Sequence, residues 1–174
     1  MSLTLLGQAQ IRGRSMNLKL AELQDAAGVL ALYDSLRHTD GCTWDEDYPS
    51  MREIETDIRN GALFIDTDGR GVRAAISVCA DDELEEMNVW SESTLPAGSF
   101  MRVAVRADAQ NRGIAREMVR FALNELKKRG FRGVHILVGR ENYAAQRCYA
   151  PFGFKIVAET EKYGVNWRCM EGEL

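Results

Sequence analysis

Between Phe100 and Val138 the chain spells out one complete crossover, which constrains the fold more than any other stretch. Met101, Val103 and Val105 alternate with Arg102 and its neighbours, the period-two pattern of a buried strand over Phe100–Val105. From Gly113 to Arg129, Ile114, Met118, Phe121, Ala122 and Leu126 fall on one helical stripe. Lys127, Lys128 and Arg129 complement the dipole of its last turn, and Gly130 supplies the C-cap. A second strand follows at His135–Val138. Strand, helix and strand in this order make a parallel, right-handed unit.

The flanking segments read as antiparallel. Asn17–Ala21 is a short strand, and Ala26, Val29, Leu30, Tyr33 and Leu36 give a helix over Asp25–His38. Ser50-Met51-Arg52-Glu53 has the form of a capping box, opening a helix that runs to Asn60 and stops at Gly61. Ala62–Asp66 and Arg73–Ala80 form a hairpin about Asp68-Gly69. Residues 81–99 show no period and read as one long loop. A helix over Asn142–Ala150 and strands over Phe154–Tyr163 and Asn166–Met170 complete the chain. The expected class is mixed α/β, a mostly antiparallel sheet holding one parallel strand–helix–strand unit.

At 174 residues one domain is expected. Residues 1–15 read as a leader or a misassigned start, because Met16 directly precedes the first strand, and 16–174 as the domain. With 45% apolar and 28% charged residues, the chain is neither disordered nor membrane-spanning. No apolar run approaches the ~20 residues of a transmembrane helix. Cys42, Cys79, Cys148 and Cys169 lie far apart, and His38 and His135 are the only histidines, so neither a metal site nor a disulfide framework is expected. Free thiols suit a cytoplasmic protein.

The net charge of −4 conceals a cancellation. Residues 34–57 hold eight acids against two bases, and 81–99 six acids and no base. Residues 100–155 hold twelve bases against four acids. That asymmetry suggests a polyanion on the C-terminal half and a cationic molecule near the acidic segments; solvated helix faces are the plainer explanation.

The loop between the first crossover strand and its helix carries the chemistry. Gln110-x-x-Gly113-x-Ala115 puts small residues where backbone must approach a ligand, and first-turn amides plus a helix dipole favour an anion. Arg112 and Arg116 add charge, which predicts a phosphate or pyrophosphate site. A single glycine excludes the dinucleotide fingerprint, and no Gly-Lys-Ser/Thr follows for a triphosphate loop.

This segment resembles the acyl-CoA-binding motif of the GNAT superfamily of N-acetyltransferases, Gln/Arg-x-x-Gly-x-Gly/Ala after a strand. Asn142-x-x-Ala145-x-x-x-Tyr149-x-x-x-Gly153-Phe154 is similar to the family's second motif, 29 residues on from Gly113. The order of elements resembles the family fold over Asn17–Met170, and the Trp44-Asp-Glu-x-Tyr48-Pro49 loop is similar to that of a bacterial subgroup. The resemblance implies acetyl-CoA as acyl donor, no metal, and transfer to an amine in a ternary complex. It implies cofactor contacts from Val103, Val105, Gln110, Asn111, Arg112, Gly113, Ile114, Ala115, Arg116, Asn142 and Ala145. By the same resemblance, a backbone N–H on the Val103–Val105 strand would polarise the thioester carbonyl, and Tyr149 would be general acid to the departing sulfur.

A carboxylate or an ordered water must deprotonate the amine, and Glu85 and Glu86 are the candidates on the 81–99 loop, with Asp45, Glu46 and Asp47 on the 39–49 loop. Trp44, Asp45, Glu46, Tyr48 and Trp90 are candidates for the acceptor pocket, the aromatics through cation–π contact. Pro151 departs from the family pattern: it should end or kink the helix just past Tyr149 and bias Ala150 away from helix. Two other readings stay open, an acyl-CoA-binding regulatory module without transfer and a nucleic-acid binder using the basic 100–155 segment. No nucleic acid and no membrane are the expected partners. Dimers are common in the family, which leaves a homodimer open.

Overall fold

The computed structural model describes residues 16–174 in full and, before them, only the backbone of Gln10–Ile11 (β1) and Arg14–Ser15 (β2), a short antiparallel ribbon. The expected leader over 1–15 otherwise lies outside the described residues. The elements that follow are β3 (Leu18–Leu20), α1 (Ala26–Asp34), α2 (Met51–Arg59), β4 (Leu63–Asp68), β5 (Gly71–Cys79), α3 (Asp82–Glu85), β6 (Ala97–Val105), α4 (Ile114–Lys128), β7 (Gly133–Gly139), α5 (Tyr143–Tyr149), β8 (Lys155–Lys162) and β9 (Val165–Glu173). They build one seven-stranded sheet of order β3-β4-β5-β6-β7-β9-β8. Every neighbouring pair is antiparallel except β6 and β7.

Each face is covered by the apolar stripe that its helix carries. α4 lays Met118, Val119, Ala122 and Leu126 on Phe64, Ile76, Val78 and Phe100 of one face, where α5 adds Tyr149. α1 lays Val29, Leu32 and Tyr33 on Leu63, Ile65, Ala75 and Ala104 of the other, with Ile54 of α2. At about 1.5–3 kcal/mol for each large apolar side chain buried, these two layers supply most of the drive to fold. α2 opens on the expected capping box: Arg52 N–H donates to Ser50 Oγ, and Ser50 N–H to Glu53 Oε2.

Four local expectations change. Residues 81–99 are not one loop: Asp81 caps α3 by accepting from Glu83 and Leu84 N–H, Leu84 is buried, and β6 already begins at Ala97. Ala97 and Gly98 hide the strand because they have low strand propensity, yet they must be small, since a Cβ on Gly98 would strike Leu126 and Phe131. α1 stops at Asp34, where Ser35 and Thr39 hydroxyls take the carbonyls of Leu32 and Leu36 instead of a longer helix. Past Tyr149 the chain tightens into a 3-10 turn over Ala150–Phe152 with Ala150 still helical at φ −49° and ψ −40°. Gly153 at φ 76° then closes the turn, so Pro151 ends the α-helix without breaking the path to Phe154.

β6 and β7 pair only at Ala97–Gly133 and Gly98–Val134, and then separate. The junction leaves no room at Gly133, where an added Cβ would fall inside the van der Waals envelope of the Thr94 backbone. Gly133→Ala should therefore cost about 1–3 kcal/mol by overpacking, read as a lowered urea midpoint at unchanged slope. An unshifted midpoint would show that the 92–94 turn moves aside freely.

Candidate active site

Where β6 and β7 part, a cleft of about 1300 Å³ opens between Ser99–Val103 on one side and Ile136–Gly139 on the other. Ala104 pairs with Ala75, and Arg106 N–H donates to Arg73 O, so in the last stretch of β6 the backbone of Ala104 and Arg106 points to β5. Alternation turns the N–H groups of Val103 and Val105 toward the edge that β7 has left. Gln110 Nε2 answers the Val105 carbonyl there at 3.0 Å, which binds the following loop to the strand end.

That loop turns through Asn111 at φ 59° and Gly113 at φ 84°, two left-handed steps made by residue types that accept them. Gly113 is the N-cap of α4 and offers no side chain, so the Ile114, Ala115 and Arg116 N–H groups have no partner among the described residues. Three free amides at the positive end of a fifteen-residue helix are chemically suited to receive an anion. Gln110, Asn111, Gly113, Ile114, Ala115 and Arg116 all border the cleft; Arg112 is exposed and does not.

On the opposite wall stand Asn142, Ala145, Cys148 and Tyr149. Asn142 caps α5, its Oδ1 accepting from Ala145 N–H at 2.9 Å, which leaves its amide nitrogen and one lone pair of the oxygen to meet a ligand. Tyr149 is held edge-on to Phe100 at 5.4 Å, and its hydroxyl has no partner among the described residues. Burial pushes the phenol well above its ordinary value, so it is protonated and able to donate. Burial also lifts the Cys148 thiol to about 11, which keeps it protonated and a poor nucleophile.

The other arm of the cleft is built from the 39–49 loop, α2 and α3. Trp44 packs on Tyr33 at 5.0 Å, and Asp45 Oδ1 ties the loop by accepting from Asp47 and Tyr48 N–H. Gly41 and Thr43 press this loop onto Asn142 and Gly139, where a Cβ on Gly139 would lie 2.8 Å from Thr43. Trp44, Asp45 and Tyr48 line the cleft; Glu46 points away and pairs with His38 at 2.9 Å.

The structure does not bring Glu85, Glu86 or Trp90 into the cleft. Trp90 stacks on His135 at 4.2 Å and 8°, and donates to Leu84 O at 2.5 Å. Glu85 lies 3.4 Å from His135 Nδ1, and Glu86 is exposed at the end of α3. What α3 gives the cleft is Asp81, Glu83 and Leu84. Glu83 binds Lys162 and Tyr163 of the β8–β9 hairpin, and with Lys162 it is held below the usual carboxylate range.

Arg102, treated above only as a polar spacer, sits at the centre. Its guanidinium bonds Asp57 Oδ2 at 2.6 Å through Nη2, and donates to Tyr48 Oη at 2.8 Å through Nη1. Asp57 also accepts from Ser77 Oγ at 2.5 Å. The two charged side chains are 9% and 11% exposed, so breaking this pair would cost about 3–5 kcal/mol. Burial works against the Arg102 charge, but the facing Tyr48 and Asp57 oxygens outweigh it and hold it protonated. The only sequence hint was an acid on the inner side of an otherwise amphipathic α2, since Asp57 is buried three residues after Ile54.

With this geometry in view, the comparisons with known proteins agree. The model of the acetyltransferase (GNAT) family matches residues 29–154, and the chain belongs to that family. Among solved structures, a GNAT-family acetyltransferase from Streptococcus agalactiae superposes with a TM-score of 0.76 at 16% identity, over 92% of this chain and 96% of its own. The yncA acetyltransferase of Salmonella typhimurium, solved with acetyl-CoA, gives 0.67 at 17% identity, over 91% and 93%. These show the shared fold. GCN5-related N-acetyltransferase 6, chloroplastic, of Arabidopsis thaliana is 38% identical over 66 residues, which are 38% of this chain and 23% of that relative.

The His135 cluster makes a prediction about acid stability. His135 is 1% exposed; its Nε2 meets Thr94 Oγ1 at 2.8 Å, and that hydroxyl donates onward to Ser91 O, so Nε2 carries the proton. Burial lowers its pKa, partly offset by Glu171. The unfolded chain therefore takes up a proton before the folded one. The stability is present above the unfolded value near ~6.5 and lost as pH falls below it toward the depressed folded value. The urea midpoint should drop over that window in the wild type and less steeply in His135→Gln.

Proposed function

We propose that the protein transfers an acetyl group from acetyl-CoA to an amine by direct attack in a ternary complex. The observation that carries this reading is one continuous cleft holding the open edge of β6, the uncapped amides of α4 and the Tyr149 hydroxyl. The amides of Ile114, Ala115 and Arg116 would hold the pyrophosphate of the donor, with Arg116 adding charge. The freed strand edge at Val103 and Val105 would pair with the amide-bearing arm between phosphate and thioester. The amine nitrogen forms its bond to the carbonyl carbon, the Val103 N–H takes the developing oxyanion, and the C–S bond breaks as Tyr149 gives its proton to the sulfur and regains one from the proton that the attacking nitrogen sheds.

The acceptor arm favours a cationic amine. Asp40, Asp45, Asp47, Glu53, Asp81 and Glu83 border it against Arg52, Arg102 and Lys162; these three bases pair with Glu53, Asp57 and Glu83, which leaves Asp40, Asp45, Asp47 and Asp81 without a cation partner among the described residues. An ammonium would lose its proton there through water held among these carboxylates. Part of the basic charge of the 100–155 segment is already paired: Arg102 with Asp57, Arg106 with Asp68 and Asp108, Arg120 with Glu117, Arg129 with Glu125 and Arg140 with Glu159. That pairing favours transfer over nucleic-acid binding. Among the described residues no helix is long and apolar enough to cross a membrane.

Free-thiol release from acetyl-CoA against a panel of amines of graded charge tests the reading, with polycationic acceptors expected to turn over fastest. Tyr149→Phe should lower kcat by about 10²-fold with little change in acetyl-CoA affinity. Undiminished turnover at saturating substrates would remove Tyr149 from the mechanism. Binding of acetyl-CoA without thiol release from any amine would favour the regulatory module.

A further inference from the structure

We propose that Arg102, clamped by Asp57, is a positioning residue: its side chain holds the β6 bulge in a left-handed turn and so aims the Val103 N–H into the cleft. Ala75 faces Ala104 and Ser77 faces Met101, so two steps along β5 span three along β6, and the extra residue falls at Arg102–Val103. Arg102 takes φ 52° there, a region that penalises any residue with a Cβ. Such strain persists only when the surroundings over-determine it. Here they do. Asp57 of α2 receives both Nη2 and Nε of the guanidinium, Ser77 of β5 fixes Asp57, and Tyr48 of the 39–49 loop takes Nη1 and lies under the cation at 5.9 Å.

Two elements thus grip one side chain directly, and β5 braces the grip through Asp57, while the backbone of that same residue is the distorted one. The peptide bond from Arg102 leads directly to the Val103 N–H, so a rotation at residue 102 re-aims that donor. The clamp also couples the donor to the acceptor loop, since Tyr48 borders the acceptor arm. The role rests on the acetyl-transfer reading, while the conformational claim stands on the protein alone.

The test compares two double variants, Arg102→Ala with Asp57→Asn and Arg102→Gly with Asp57→Asn. Both delete the ion pair without orphaning a charge, and they differ by one methyl group. Glycine accepts the left-handed turn unaided, and alanine does not. Amide NMR spectra of the unliganded protein should show the Val103 resonance near its wild-type position in the glycine variant and displaced in the alanine variant. With acetyl-CoA and the amine that the panel turns over fastest, kcat should fall about tenfold or more in the alanine variant, at unchanged acetyl-CoA affinity, and recover to within about threefold in the glycine variant.

Equal losses in the two variants, or a loss confined to KM for the amine, would overturn the proposal and make Arg102 a recognition group for the acceptor. An undisplaced Val103 resonance in the alanine variant would overturn it as well. If the wild type releases no thiol, the transfer reading fails, and the spectra still decide whether Arg102 holds the bulge.

Discussion

The parting of β6 from β7 is the constraint on which the rest depends. Two parallel strands that stay paired satisfy each other's backbone; these two pair at Ala97–Gly133 and Gly98–Val134 and then leave a row of donors and acceptors unmet. Such an edge is stable only if something answers it or water reaches it. Gln110 answers the Val105 carbonyl, and the cleft leaves the Val103 side open. The same divergence makes room for α5 to bring Tyr149 against Phe100, and it lets the start of α4 face the gap.

Around that opening the molecule divides its labour by chemistry. One end presents backbone amides and a helix dipole, which hold charge without desolvating a side chain. The other end presents carboxylates on two loops and α3, anchored from behind by neutral or paired groups. His135 under Trp90, with Thr94 and Glu171 beside it, fastens the 81–95 segment to the sheet, leaving Leu84 and Glu83 over the cleft. Arg102 and Asp57 join the halves, since they bind the bulged strand to α2 and, through Tyr48, to the 39–49 loop.

Much of this was legible because it is local. The crossover, the capping box at Ser50 and the α4 loop each depend on residues within a turn or two of each other. Residues acting at a distance were not legible. Glu85, Glu86 and Trp90 carry the right chemistry for a substrate loop, yet Trp90 stacks on His135, some fifty residues on, and Glu85 lies beside that ring, outside the cleft. Arg102 read only as the polar residue of an alternating strand, because a bulge cannot be inferred from alternation when its partner strand supplies the count.

The sequence by itself determined the crossover, the left-handed turn at Gly113 that leaves the first amides of α4 free, and the placement of Ala145 and Tyr149 on one helix with Asn142 at its cap, since each follows from dihedral preference or short-range periodicity. Only the tertiary structure decided where β6 and β7 separate, which acids face the gap and that Arg102 is buried in an ion pair with Asp57. Those outcomes require packing among segments some fifty residues apart, where desolvation and the geometry of partners, rather than any local preference, choose the arrangement.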